Sequence, residues 1–435
     1  MHVLMVLHNY PPEFRGGVER SVESAAQGLI ALGHRVSVLA GSERTAAEPH
    51  VLRETHAGVD VWRLIRENIF RTPMDPFDGG LVPFFEQSIA TIKPDVVHIH
   101  HWWNLGDDLA RRSVALGIPV VLSLHDFFTS CSLFFRMPDG VTHCTEPEGA
   151  RACGPCLYKV YGVDERELGT LATARARAFR AEVAAAACVL APSRSHARRV
   201  SRYMGIPMPT VLGLPTDELA PLPTEGTPFP AGPLRVLHFG NLSRLKGVEL
   251  LVDAVEQADP SGSAIELTLA GELVDRDLRL GRARHVGAFD HEQVRTLAAR
   301  ADVAVFPSLA SESYGMVVDE ALRLGLPVVV SDRGALAERM GLRGLSVSVD
   351  SAEPLALLFK RLLEHPEMLA QARAASAGTL ESARTHAEKL LATYESARKQ
   401  RLPVVDVQTP LLERIERHRR RTAEMIDLMK RLKGG

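Results

Sequence analysis

The sequence has no excess of either charge: 51 Lys and Arg stand against 53 Asp and Glu in 435 residues, a formal net charge of -2. That balance excludes a global pull toward nucleic acid, so any basic surface is local. No run of eighteen uninterrupted apolar residues occurs, which excludes a simple membrane-spanning helix. The amino terminus, MHVLMVLHNYPPEFRGGVE, has no positive segment ahead of its short apolar run, and the run stops at Asn9-Tyr10-Pro11-Pro12. It reads as a buried strand and not as a secretion signal. The cytoplasm is the expected compartment, with peripheral contact at the inner face of a membrane left open. Neither half carries G-x-G-x-x-G after its first strand, which argues against a nicotinamide or flavin dinucleotide. What is present, 46% hydrophobic and 24% charged residues, is the composition of a globular protein. Its length suits two domains of about 200 residues.

The chain opens with an apolar strand (Val3 to Leu7), a Gly-containing loop (Asn9 to Gly17), an amphipathic helix (Val18 to Leu32) and a second strand (Val36 to Ala40). After Leu234 the pattern recurs as RVLHFG, NLSRLKG, VELLVDAVEQ and IELTLAG. Strands that are apolar throughout and alternate with helices predict parallel sheets covered on both faces. The expected architecture is α/β, with two doubly wound Rossmann-like domains facing across a cleft. The Pro- and Gly-rich stretch from Leu212 to Pro233 reads as the linker. The expected division is residues 1–212, with a cysteine-rich insertion near 127–160, then 213–385, then a carboxyl-terminal extension over 386–435. Ligands of open α/β sheets sit beyond the carboxyl ends of the strands, here the interdomain cleft.

The stretch SESYGMVVDEALRLGLPVVVS places Glu312 at the end of a strand and Glu320 in the following helix. Eight helical residues span about 12 Å, roughly the reach from a sugar ring past a diphosphate to a ribose. The amides of Tyr314, Gly315 and Met316 lie at the helix N-terminus, which favours an anion. On pattern alone the favoured reading is that the two acids are a solvated loop residue and a helix-surface residue. ESYGMVVDE followed by ALRLGLPVVVSDRGALAE resembles the E-x7-E signature of the retaining GT-B glycosyltransferases of family 4, the glycosyl transferases group 1. Further ordered motifs extend the likeness over residues 1 to about 400.

That resemblance implies that Glu312 meets the hydroxyls of the donor sugar and Glu320 the ribose. GNLSRLKG resembles the family's G-R-L-S-x-x-K-G loop, whose cations neutralise the donor diphosphate. Lys246 matches, Asn241 stands where the family has Arg, and Arg244 is the candidate to replace it. PPEFRGGVE resembles the P-x-x-G-G loop, which makes Gly16 and Gly17 candidates for close approach to the diphosphate. HVGAF places Val286 and Gly287 where the family's backbone meets the nucleobase. VVLSLHDFF puts His125 and Asp126 just past a strand, where the family has a histidine facing the donor sugar. Trp102 and Trp103 in HIHHWWNL are candidates to stack on an acceptor sugar, with core packing the equal alternative.

Four of the five cysteines, Cys131, Cys144, Cys153 and Cys156, fall in one loop with the spacing C-x12-C-x8-C-x2-C. Clustered thiols in a cytosolic chain point to metal, and four thiolates suit Zn²⁺ or a [4Fe-4S] cluster equally. The loop is short of apolar residues, so a metal centre is its expected source of order. At the carboxyl end, THAEKLLATYESARKQ resembles the family's last helix. The basic stretch Thr409 to Gly435 has a heptad-like stripe for self-packing, a second copy or anionic lipid.

The resulting expectation is a retaining glycosyltransferase using a nucleotide-diphosphate sugar, UDP- or GDP-linked, and a glycan, lipid-linked or small-molecule acceptor. His125, Glu312 and Lys246 are its catalytic candidates. No divalent cation is required at the diphosphate, since no Asp-x-Asp occurs in the cleft motifs. The rivals are a sugar-nucleotide epimerase or hydrolase on the same fold, and a regulator that binds nucleotide-sugar or metal without turnover.

Overall fold

A computed structural model of the chain describes residues 1–66, 81–106, 108–140, 142–161, 164–215, 232–341, 343–375 and 382–407. The basic stretch from Thr409 and most of the expected linker lie outside the described residues. Strands β1 (His2–Leu7), β2 (Arg35–Thr45), β3 (His50–His56), β4 (Val59–Arg66), β5 (Val96–Ile99), β6 (Val120–Ser123), β7 (Cys188–Ala191) and β8 (Thr210–Val211) form one sheet. Its order is β3-β4-β2-β1-β5-β6-β7-β8. Strands β9 (Leu234–Phe239), β10 (Ile265–Ala270), β11 (Arg284–Gly287), β12 (Val303–Phe306), β13 (Val328–Ser331) and β14 (Gly344–Val347) form the second, in the order β11-β10-β9-β12-β13-β14. Every pairing is parallel except β3 with β4. Two doubly wound domains are therefore present, as the strand and helix alternation predicts. Among the described residues no helix is long and apolar enough to cross a membrane.

β1 shows why its strand is apolar at every position. Val3, Met5 and Leu7 pack with Val22, Ala25 and Leu29 of the helix Gly17–Ala31 on one face. Leu4 and Val6 pack with Phe85 and Ile89 of the helix Val82–Ile92 on the other. A strand covered twice has no solvent face to alternate toward.

The antiparallel hairpin at the edge is a departure from the repeating pattern. Ala57 and Gly58 both take positive φ, 47° and 79°, and His56 pairs directly with Val59, the geometry of a two-residue hairpin turn whose twist suits its strands. The hairpin serves the cleft through Arg63. This fully buried side chain donates to the main-chain oxygens of Tyr10 (3.0 Å) and Pro11 (2.6 Å) and pairs with Glu54. A buried cation thereby fixes the loop that precedes Gly16.

The helix Ala383–Lys399 follows the second domain in sequence but packs on the first, burying Ala387, Leu390, Tyr394 and Ala397 against the same face as Val22 and Leu29. Tyr394 Oη lies 2.7 Å from His98 Nδ1, and His98 Nε2 lies 2.8 Å from Ser123 Oγ. The His98 and His100 rings lie tilted against each other, with centroids 3.9 Å apart. Burial first, then the neighbouring histidines, hold both imidazoles well below the ordinary value of 6.5.

The cysteine loop obtains its order from two buried arginines. Arg136 donates to the carbonyls of Ser130, Cys144 and Glu146 and lies 3.9 Å over the Tyr203 ring. Arg175, on the helix Glu165–Ala185, binds both oxygens of buried Glu148 and the Phe128 carbonyl. Leu157 of the short helix Cys153–Tyr161 then packs on Leu168, Leu171 and Ala172.

Two predictions follow from this packing. Gly28→Ala, which would stabilise an isolated helix by about 1 kcal/mol, places a Cβ 2.8 Å from Ala387 Cβ and 2.9 Å from the Ala383 carbonyl. Overpacking costs about 1–3 kcal/mol, so urea unfolding should show a net loss. The second concerns pH. His98 and His100 have folded pKa values below the unfolded one, so below pH 6.5 the unfolded chain takes up protons that the native chain refuses. Stability should fall as pH drops below 6.5, by up to about 1.4 kcal/mol per unit for each such histidine. Urea midpoints between pH 7.5 and 5 measure this, and His100→Gln should reduce the slope; a flat profile would contradict the reading.

Candidate active site

In the second domain the chain turns sharply after β9. Gly247 has φ +75°, and a Cβ there would stand 2.0 Å from the Pro307 carbonyl, so this residue must be glycine for the loop to lie on the end of β12. That closure brings Lys246 Nζ to 2.7 Å from Glu312 Oε1, which also accepts from Ser308 Oγ at 2.7 Å. Burial raises the Glu312 carboxyl's pKa, while Lys246 and then Ser308 lower it further, so that it lies below its ordinary value. Glu312 is an ionised acceptor at neutral pH.

The helix Met316–Arg323 begins at Gly315, whose φ is +88° and whose missing side chain leaves room for Leu336; a Cβ would meet its Cδ2 at 2.2 Å. Tyr314 is buried, with its hydroxyl donating to Asp319 at 2.7 Å and the Arg339 guanidinium 4.3 Å over its ring. Its side chain is committed to the fold, which leaves its amide as the group for a ligand. Glu320, on the same helix, is 7% exposed. Its Oε1 lies 2.9 Å from Arg20 of the first domain.

The first domain meets this helix through its glycine loop. Gly16 precedes the helix Gly17–Ala31, and a Cβ on Gly17 would lie 3.5 Å from Met316 Sδ. The N-termini of the two helices thus converge, each offering free amides and a positive dipole end to an anion between them. Lys246, Glu312, Gly315, Met316, Glu320, Gly16 and Gly17 are brought to one cleft.

Arg244 is not part of that group. It binds Glu249 at 3.2 Å and Asp277 at 2.9 Å, and its amide donates to Asp275. Glu249 and Asp277 engage its guanidinium, so the structure does not bring it beside Lys246 as the expected second diphosphate cation. Val286 is exposed at 37% and Gly287 is open, at the end of β11. His285 beside them is tied to the Gly271 carbonyl at 2.9 Å.

On the other wall, His125 leaves the end of β6 with its Nε2 2.9 Å from His100 Nδ1. Its Nδ1 is buried and has no partner among the described residues. Burial, with His101, His196 and His8, overrides the opposing pull of Asp126 and lowers its pKa to about 3. It is a neutral imidazole at physiological pH. Asp126 accepts from the Phe128 amide at 2.8 Å and faces His101 Nε2 at 3.4 Å. His101 lies with its ring tilted against that of His8, which pairs with buried Glu19 at 2.8 Å.

Trp102 belongs to the core. It is 2% exposed, donates to Glu182 at 3.1 Å and packs edge-on against Phe179, which removes it as an acceptor platform. Trp103 is partly buried against Phe128 and Phe134. Sequence reading weighed HIHHWW for its tryptophans and missed its histidines. Their spacing held the signal, since His98 and His100 share one face of a strand and His101 is the first residue to turn out into the cleft. Arg20, Glu19 and His8 were also missed; each acquires its partner only through the fold.

All four loop thiols are half-buried and free. Burial and then Glu148 push the Cys131 thiol up to about 11. Cys153 and Cys156 are raised by burial, and Cys144 adds to both. Among the described residues no three of His, Cys, Asp or Glu stand where they could hold a metal ion. As placed, the four thiols therefore do not make a ligand set, and Arg136 and Arg175 supply the order for which the sequence suggested metal.

With this geometry in place, the comparisons with known proteins are specific. Residues 15–212 match the model for Glycosyltransferase Family 4, and residues 233–365 match Glycosyl transferases group 1. The glycogen synthase of Mycobacterium tuberculosis is 26% identical over 417 residues, covering 87% of this chain and 89% of that protein. The phosphatidyl-myo-inositol mannosyltransferase of Mycolicibacterium smegmatis is 26% identical over 374 residues, covering 83% and 84%. Among solved structures, the sucrose-phosphate synthase of Thermosynechococcus elongatus superposes with a TM-score of 0.62 at 19% identity, over 91% of this chain and 98% of that one. Anabaena HepE in complex with UDP and glucose gives 0.59 at 18%, over 91% and 99%. The two domains have the GT-B fold, and the chain belongs to the family 4 glycosyltransferases.

Proposed function

We propose that the protein transfers a sugar from a nucleotide-diphosphate donor to an acceptor hydroxyl with retention at the anomeric carbon and without a divalent cation at the diphosphate. The Lys246–Glu312 pair carries this reading, because it lies at the converging N-termini of the helices Met316–Arg323 and Gly17–Ala31. When the bond from the anomeric carbon to the diphosphate breaks, its electrons leave on a phosphate oxygen. Lys246 and the free amides stabilise the charge that develops there. Glu312 and the unpartnered Nδ1 of His125 hold hydroxyls of the sugar, and Glu320 holds the ribose.

The acceptor oxygen forms the new bond and must lose a proton. His125, at a pKa of about 3, and Glu312, lowered by Lys246, are weak bases. A phosphate oxygen with a second pKa of about 6 takes the proton better, and it stands on the face that the acceptor enters. Same-face attack with the leaving group as base is what supports retention. UDP- or GDP-sugars fit the site, and the UDP bound by the HepE structure supports a uridine donor.

Titration calorimetry with UDP and GDP, followed by product analysis in excess EDTA, tests this function. Lys246→Ala should weaken nucleotide binding about tenfold or more, the worth of one charged hydrogen bond, and Glu320→Ala should weaken it similarly. Glu312→Ala should reduce turnover more than affinity. NMR of the product should show the donor's anomeric configuration. Unchanged affinity in the first two variants, a requirement for added Mg²⁺, or an inverted product would each contradict the assignment, and free sugar or an epimer would mark the rival enzymes.

The spacing of Cys131, Cys144, Cys153 and Cys156 supports a separate proposal, that closing Cys131 onto the other three binds Zn²⁺ or an iron–sulfur cluster. Elemental analysis of anaerobically purified protein should find about one zinc or about four irons per chain, lost in the Cys153→Ser, Cys156→Ser double variant. Absence of both elements would refute it.

A further inference from the structure

The two helices that converge on the cleft touch again one turn beyond their starts. Gly17 opens the helix Gly17–Ala31 against Met316, where a Cβ would lie 3.5 Å from its Sδ. Three residues on, Arg20 brings Nη2 to 2.9 Å from Glu320 Oε1. Met316 and Glu320 are four residues apart, so the two contacts join one face of each helix. A carboxylate as buried as that of Glu320, 9% exposed, needs a partner. The first domain supplies it, and lays a cation on the acid assigned to the ribose.

The other acid of the same signature is covered in the same way. Glu312 Oε1 lies 2.7 Å from Lys246 Nζ, and Lys246 is the cation already assigned to the diphosphate. Each carboxylate of the pair thus holds one cation. The expected source of a second diphosphate cation does not provide it: Asn241 brings no charge where the resemblance expects arginine, and Glu249 and Asp277 engage Arg244. Arg20 stands one helical turn, about 6 Å, from the free amides at Met316.

We propose that Arg20 is the second cation of the diphosphate site and that a donor nucleotide takes it from Glu320 by exchange: the ribose hydroxyls claim the carboxylate, and the released guanidinium binds a phosphate oxygen of the same molecule. Lys246 and Glu312 repeat the exchange at the sugar end. Both acids give up a cation and gain hydroxyl donors, while both cations pass to a more highly charged anion, which a guanidinium fits bidentately. Arg20 comes from the first domain and Lys246 from the second, so a diphosphate held by both joins the domains that the Arg20–Glu320 pair joins in the protein alone. A nucleoside can claim the carboxylate but cannot make that bridge. This hand-over rests on the glycosyl-transfer reading, and its test separates the two.

The whole chain is titrated calorimetrically with UDP and GDP, and by ligand-observed NMR with uridine and guanosine. Arg20→Met removes the cation and uncovers the carboxylate. It should weaken the preferred nucleoside diphosphate about tenfold or more and bind the matching nucleoside at least as tightly as wild type does. Arg20→Lys, which keeps the charge without the planar fork, should recover part of the lost affinity. Added salt should weaken diphosphate binding less steeply in Arg20→Met, which has one charged contact fewer to screen. Wild-type diphosphate affinity in Arg20→Met would overturn the hand-over and leave the donor site standing. An equal loss of nucleoside and diphosphate would mark Arg20 as a strut of the fold and overturn it too. Wild-type protein that binds neither UDP nor GDP would overturn the donor site itself, and the hand-over with it.

Discussion

The active cleft depends on one ion pair. The 2.7 Å contact between Lys246 Nζ and Glu312 Oε1 keeps the Glu312 carboxyl ionised against the burial that would otherwise raise its pKa. Neither side chain could reach the other without two backbone closures. Gly247 lets its loop lie against the Pro307 carbonyl, and Gly334, with no side chain, leaves room for the Glu312 amide that a Cβ would meet at 2.4 Å. The glycines of these loops therefore set the electrostatics of the site by setting its distances.

The opposing wall follows a different rule. Its histidines are buried close to one another, and burial first, then the neighbouring rings, holds their pKa values below the ordinary one. The order Tyr394, His98, Ser123 and the tilted ring pair His98 and His100 runs from the crossing helix to His125. Neutral at physiological pH, His125 offers a hydrogen bond without a charge. The helix that ties the second domain back to the first thus reaches, through Tyr394 and His98, the buried histidines of this wall.

Much of this was legible in the sequence. The apolar strands and their repetition after Leu234 yield two parallel sheets because a strand buried on both faces has a pattern that few other structures need. Glu312 and Lys246 are legible because each lies in a loop between a strand and the helix after it, beyond the carboxyl end of the strand, and Glu320 because it follows Glu312 by eight residues, a turn into that helix. Arg244 was misplaced because its partners, Asp277 and Glu249, arrive from another loop and another turn, and a sequence shows charge but not which acid claims it. Trp102 was misplaced because its hydrogen-bond acceptor, Glu182, lies 80 residues away. The cysteine loop looked short of core because Arg136 and Arg175 read as surface charges, whereas buried guanidiniums with five donors can tie several carbonyls at once.

The contacts between domains divide by position along the cleft, and the division has a mechanistic sense. At the end marked by the helix Met316–Arg323, Arg20 and Glu320 meet through an ion pair of two side chains. At the other end of the cleft, the Ser193 and Glu338 side chains bind main-chain groups, the Ser313 carbonyl and the Arg194 and Ser195 amides. Each of those contacts has one partner fixed in the backbone, whereas the Arg20–Glu320 contact joins two side chains, so this end constrains the approach of the two domains more tightly. Alignment there matters more, because transfer requires the reacting oxygen within about 3–3.5 Å of its carbon, and a diphosphate held by amides and an ammonium tolerates more slack than an attacking hydroxyl does.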